Sequence, residues 1–245
     1  MVEPTKSSIR SAIRPSQTTS PIDVNAAVVA FVAAWFAAQV LSLVVLSVFG
    51  ETGGVDTPIG VVAVTLVAGW SAYLVGMWTV SDRHGTADPI EDFGIRFLPI
   101  DAVGLGIGVL AQLVVIRAVY LPLEAIWPAT FTEDELQRNA EGLVERAGGV
   151  STVLLFVLVV LGAPLVEEMF YRGLLQRSLL ARFNDGVVVV GVAALFALIH
   201  FRPVEYPGLF VFGLVLGGCA AFTGRLGMSI CAHVAFNATG LLLVL

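Results

Sequence analysis

The stretch AAVVAFVAAWFAAQVLSLVVLSVFG at residues 26–50 decides the class of fold. It carries no formal charge and is longer than the roughly 18 apolar residues that mark a membrane-spanning helix. It also exceeds the core of a signal peptide, about 7–15 residues, and therefore reads as a retained span. Working outward, further uncharged runs occupy 57–81, 147–166, 206–224 and 226–245, and shorter ones at 102–116 and 186–201 are completed by their flanks. The composition agrees: 57% of the 245 residues are apolar and 13% charged, against about 25% charged in a soluble domain. A mean hydropathy of +0.90 belongs to a protein whose solvent is lipid. A soluble enzyme, a secreted disulfide scaffold and a nucleic-acid binder are excluded.

The expected fold is all-α, a polytopic bundle of about seven spans at 26–49, 58–80, 100–121, 150–172, 187–203, 206–223 and 227–245. Three regions follow: a disordered polar tail over 1–23, N-terminal transmembrane helices with a long loop over 24–149, and a core over 150–245. Basic residues set an orientation. With the N-terminus inside, the inner segments hold Lys6, Arg10, Arg14, Arg83, Arg96, Arg172, Arg177, Arg182 and Arg225, and the outer ones Arg138, Arg146 and Arg202. The excess predicts a multi-pass cell-membrane protein with a cytoplasmic N-terminus. In the loop 122–149, Thr132 and Glu135 have capping-box spacing, ahead of a thin stripe of Leu136, Leu143 and Val144. A short surface helix and a solvated connector both fit. Gly104–Gly108 and Gly213–Gly217 are GxxxG pairs that permit close helix contact. Cys219 and Cys231 lie in apolar spans as packing residues.

Ionisable groups inside spans are costly and carry the functional information. They cluster in the last 80 or so residues, on three spans: Glu167, Glu168 and Arg172 in PLVEEMFYRG, Phe196 and His200 in LFALIHF, and His233 and Asn237 in CAHVAFNATG. Glu168–Arg172, Phe196–His200 and His233–Asn237 are each i,i+4 pairs, so each shares a helix face. Glu167 is turned about 100° from Glu168, and the two carboxylates cannot do one job. If spans four and five form a hairpin turning near Asp185, Glu167 and His200 sit within roughly 5 Å of one level at about 1.5 Å per residue. Counting back along spans six and seven brings Asn237 and His233 toward that level. One intramembrane polar site in the C-terminal half is the expectation.

These residues resemble a known family. The EExxxR of Glu167–Arg172, the FxxxH of Phe196–His200 and the HxxxN of His233–Asn237, in this order, are similar to the three motifs of the CAAX prenyl protease and bacteriocin-processing (CPBP, Abi-type) intramembrane endopeptidases. The resemblance covers about 150–245. It implies peptide-bond hydrolysis inside the membrane, acting on a membrane-embedded or lipidated substrate of CAAX or bacteriocin type. By the same resemblance Glu167, assisted by His200, activates water. His233 and Asn237 stabilise the oxyanion, and Glu168, Arg172 and Phe196 support the site. No cofactor is expected. The competing mechanism is a zinc ion on Glu167, His200 and His233, a His₂Glu set of the kind found at catalytic zinc sites, although HExxH is absent. A proton-coupled transporter uses the same residue types but predicts inverted repeats or broken spans, and spans one to three show no similarity to five to seven. A non-catalytic scaffold or immunity factor of the same fold predicts degraded motifs, and all three motifs are complete.

Overall fold

The structure is a computed structural model that describes residues 20–54 and 56–244; most of the tail placed at 1–23 lies outside them. Among the described residues the regular elements are all helical. In chain order they are α1 (Val24–Phe49), α2 (Ile59–His84), α3 (Pro99–Ile126), α4 (Glu133–Arg146), α5 (Val150–Leu180), α6 (Asp185–Leu198), α7 (Tyr206–Thr223) and α8 (Gly227–Leu243), with a single turn at Pro89–Asp92. α1, α2, α3, α5 and the segment Pro203–Thr223 around α7 are each long and apolar enough to cross a membrane. α6 and α8 are apolar but shorter. The protein is an all-helical membrane bundle, in rough agreement with seven spans.

The helix ends follow from local chemistry. The Asp23 carboxylate accepts from the Asn25 amide at 2.8 Å to start α1, and Gly50 ends it in a left-handed conformation, φ 71°, where a side chain would be unfavourable. Asn184 caps α6 in the same way at 3.0 Å. Thr132 Oγ1 accepts from the Glu135 amide at 3.1 Å, so the capping signal in the long loop is a real helix start. Leu143 and Val144 of that helix pack against Leu155, Val160 and Leu241.

Two hydrogen-bonded ends hold the bundle. At the end where α1 begins, Ser178 bonds Ser20 at 3.1 Å, the Leu226 amide donates to Gly94 O at 3.0 Å, and Arg225 pairs with Asp101 at 2.7 Å. At the opposite end, Arg146 donates to Thr57 O, and the Tyr120 hydroxyl donates to Val204 O at 2.9 Å while accepting from the Gly208 amide at 3.2 Å. Ile22 is already buried, so packing begins before α1 does.

Four span ends differ clearly from the sequence reading: α2 runs on to His84 and α3 to Ile126, beyond the expected 80 and 121, and the ends of α5 and α6 differ as well. α5 continues past Arg172 to Leu180, and α6 stops at Leu198 instead of running to 203. Of the charges that suggested an end to the fourth span, Glu168 and Arg172 do not meet bulk water. Arg172 and Gln176 are each 1% exposed and find partners on α7, so the helix continues through them. Along α5 the segments 157–162 and 168–176 are π-helical, a geometry often found at functional sites. Every residue from Phe170 to Gln176 is buried, which no α-helical stripe would produce.

The glycine pairs do two different things. Gly104 and Gly108 of α3 lie against the backbone of α8, where a methyl group at either would collide with Met228 O or Ala232 O. Gly213 and Gly217 of α7 expose their carbonyls to α5. Arg172 Nη2 donates to Gly213 O at 3.3 Å and Gln176 Nε2 to Gly217 O at 2.9 Å. Two rungs thus tie α5 to α7 through side chains that reach bare backbone.

Candidate active site

The centre of the site is a fully buried ion pair. Glu168 is 0% exposed, and its Oε1 accepts from Arg172 Nη1 at 2.9 Å. Removing two charges from water is expensive unless each is well hydrogen-bonded. The second Arg172 nitrogen goes to Gly213 O, and the guanidinium lies 4.6 Å from the centre of the Phe196 ring. The i,i+4 spacing read from the sequence is therefore a working pair that joins α5 to α6 and α7.

Glu168 also holds His233. His233 Nδ1 lies 3.0 Å from Glu168 Oε1, and a carboxylate sharing its oxygen with Arg172 accepts, so Nδ1 carries the hydrogen. The other ring nitrogen, Nε2, turns toward Glu167 Oε2 at 3.9 Å. Phe212 packs edge-on against the same ring at 5.3 Å. The adjacent carboxylates occupy different surroundings: the Glu168 side chain is at 0% exposure and that of Glu167 at 22%. One is sealed in the packing, and the other opens beside His233.

His200 lies just beyond α6, where Phe201 takes a left-handed conformation, φ 53°, and stops the helix. His200 Nδ1 is 2.6 Å from Phe196 O. A carbonyl only accepts, so Nδ1 donates and Nε2 of the neutral ring remains an acceptor. Phe196, 1% exposed, is the hub of the cluster. It meets His200 at 4.8 Å, His233 at 6.2 Å and Tyr171 at 5.3 Å, all edge-to-face. Asn237 lies one turn along α8 from His233, and its Nδ2 donates to Val159 O of α5 at 2.8 Å.

The structure thus brings Glu167, Glu168, Arg172, His233 and Phe196 into direct contact. His200 joins through the Phe196 ring, and the Asn237 amide is turned to the α5 backbone. For zinc, the donor chemistry of Glu167, His200 and His233 is suitable. Among the described residues, however, no three His, Cys, Asp or Glu side chains are gathered to hold a metal ion.

Several contributors escaped the sequence reading. Gln176 completes an i,i+4 ladder with Glu168 and Arg172, a signal that was available but masked by the apparent end of the span. Phe31 of α1 and Tyr73 of α2 stack on the two sides of Phe170 at 4.3 and 4.0 Å, and no motif marks either of them.

Residues 149–239 match the family model of the type II CAAX prenyl endopeptidase Rce1-like proteins. No curated protein and no solved structure matches the chain. The matched segment contains all seven residues singled out on α5, α6 and α8; α1, α2 and α3 fall outside it.

Proposed function

We propose, from the match of residues 149–239 to the type II CAAX prenyl endopeptidase family model, that the protein cleaves a peptide bond of a membrane-associated substrate, with Glu167 as the general base. The substrate is a lipidated CAAX-type or bacteriocin-like chain that reaches the site from the bilayer. The observation that carries this reading is the division of labour between neighbouring carboxylates. Glu168 is sealed in the packing with its Oε1 held by both Arg172 and His233, while Glu167 stays partly exposed beside His233 Nε2.

In the proposed reaction Glu167 takes a proton from water, with His200 Nε2 as the second acceptor, and the water oxygen attacks the scissile carbonyl carbon. The C–O π electrons move to oxygen, where Asn237 and His233 stabilise the charge. Collapse of the intermediate breaks the C–N bond, and the proton held at Glu167 passes to the leaving nitrogen. His233 already donates from Nδ1 to Glu168, so its part at the oxyanion requires a proton on Nε2 as well. General-base action is worth about 10²–10⁴ in rate, and an oxyanion donor about 10²–10³. Turnover of a prenylated peptide by purified, reconstituted protein tests the reading. Wild type cleaves, and a well-folded Glu167→Gln protein does not. Equal turnover by the two would remove Glu167 from the reaction.

A further inference from the structure

The Glu168–Arg172 pair borders a second space. At the end of the bundle where α1 begins, α5, α7, the turn between α7 and α8, and Phe93 surround a cavity of about 530 Å³. It opens between Ala181 and Gly224, which are both exposed. Two cations stand at this mouth: Arg177 Nη1 donates to Gly224 O at 3.0 Å, and Arg225 pairs with Asp101 at 2.7 Å. The walls include Phe93, Ala220 and Leu226, and Arg172 and Gln176 form the inner end. None of Glu167, Glu168, His200, His233 and Asn237 lines it. Arg172 therefore holds Glu168 and also faces a space that the catalytic residues do not share.

Both inner residues are sealed from bulk solvent at 1% exposure, yet each keeps one buried polar atom without a hydrogen-bond partner among the described residues. On Arg172 it is Nε, a donor; Nη1 and Nη2 go to Glu168 and to Gly213 O. On Gln176 it is the acceptor Oε1, while Nε2 is bonded to Gly217 O. Buried polar groups of folded proteins nearly always have a partner. An unpaired donor and an unpaired acceptor on one cavity call for a ligand that can both accept and donate, which water does. A water occupies about 30 Å³ and bonds two to four buried groups, so the space is ample. A hydrocarbon chain, the other occupant a bilayer offers, leaves both atoms unpaired. An anion suits Arg172 Nε and is repelled by the Gln176 oxygen.

We infer that this cavity is a hydration site, in which one water or a short chain of waters bonds Arg172 Nε and Gln176 Oε1 and solvates the buried ion pair. The physical reason is the cost of burying two charges, which is offset only when their remaining hydrogen-bonding groups are satisfied. The pair thereby reaches water by a route separate from the opening beside Glu167.

The experiment is X-ray radiolytic footprinting of the full chain in detergent, since hydroxyl radicals formed from a bound water oxidise the side chains it touches. Phe93 and Leu226 line the cavity at 1% and 2% exposure; Phe170 and Leu155, as deeply buried at 0% and 2%, do not line it. Each pair shares one intrinsic reactivity, so the rate ratio reads hydration. Phe93 and Leu226 should be oxidised several-fold faster than Phe170 and Leu155. Equal rates within each pair overturn the inference and assign the cavity to hydrocarbon. Gln176→Met keeps the length of the side chain, removes the acceptor, and should bring Phe93 and Leu226 down to the control rates. Wild-type rates in that variant overturn the site as described. If loss of the bond to Gly217 loosens the packing, Phe170 and Leu155 speed up, and Ala220→Val decides instead. It fills cavity space and keeps both polar atoms; slowed oxidation of Phe93 and Leu226 upholds the site, and unchanged oxidation overturns it. Turnover enters none of these readouts, so the result is independent of the protease reading.

Discussion

α5–α8 and α1–α3 divide the molecule by what each contributes. The C-terminal four helices supply Glu167, Glu168, Arg172, His200, His233 and Asn237. The N-terminal three supply surfaces: Phe31 and Tyr73 enclose Phe170, and Gly104 and Gly108 receive the α8 backbone immediately beside His233. Polar groups inside a bilayer are conspicuous because they are costly. The surfaces that hold them are built from Gly, Phe and Tyr, the same residues a lipid-facing helix uses for other ends. A site can therefore depend on a region whose sequence advertises nothing.

The largest expected effect sharpens the contrast. Glu167→Gln should lower turnover by about 10²–10⁴ while the melting temperature stays at or above wild type, since an apolar site loses a charge and keeps its shape. His200→Ala should fall comparably. The double variant should fall little further, because groups acting on one step are strongly non-additive. A multiplicative loss in single-turnover kinetics would mean that the two residues serve different steps.

Next are the members of the buried pair. Glu168→Ala or Arg172→Ala leaves the other charge buried and alone, at a cost of about 3–5 kcal/mol. Both proteins should melt lower in detergent and lose activity with their structure. Wild-type melting with activity abolished would assign the pair to chemistry instead of support.

Gly108→Val is the substitution most able to break the comparison, because it lies outside every motif. Its side chain meets Ala232 O, and overpacking of this kind costs about 1–3 kcal/mol. The displaced carbonyl adjoins His233, so kcat should fall more than stability alone accounts for. Gly106→Val, two residues away with open space around it, should leave both unchanged. Equal effects of the two would show that α3 supports the fold and not the site.

The smallest effect is expected from metal removal. Exhaustive chelation should leave turnover largely intact, as the sequence lacks HExxH. Stoichiometric zinc by elemental analysis, with activity lost on chelation and restored by zinc, would reverse this.

Much of this architecture was legible before any coordinates. Apolar runs of this length force helices, because a chain in hydrocarbon must satisfy its own backbone hydrogen bonds. Spacing of four residues placed Glu168 with Arg172, and the 100° turn per residue separated Glu167 from Glu168; both appear in the contacts. The boundaries of α5 and α6 were not legible. A run of charges looks like an exit into water unless partners on another helix are known, and for Arg172 and Gln176 those partners are the carbonyls of Gly213 and Gly217.

What the sequence determined by itself was the solvent, the helices and the polar residue types on each face, since these depend on composition and on a helical period that every residue obeys locally. What only the tertiary structure decided was which group each polar atom meets. Glu168, between Arg172 and His233, takes the sealed position, Glu167 takes the open one, and Asn237 turns its amide to Val159. Those choices depend on π-helical turns, helix register and aromatic stacks between segments as far apart as Phe31 and Phe170. Contacts across such separations arise from packing in three dimensions, which no local pattern along the chain encodes.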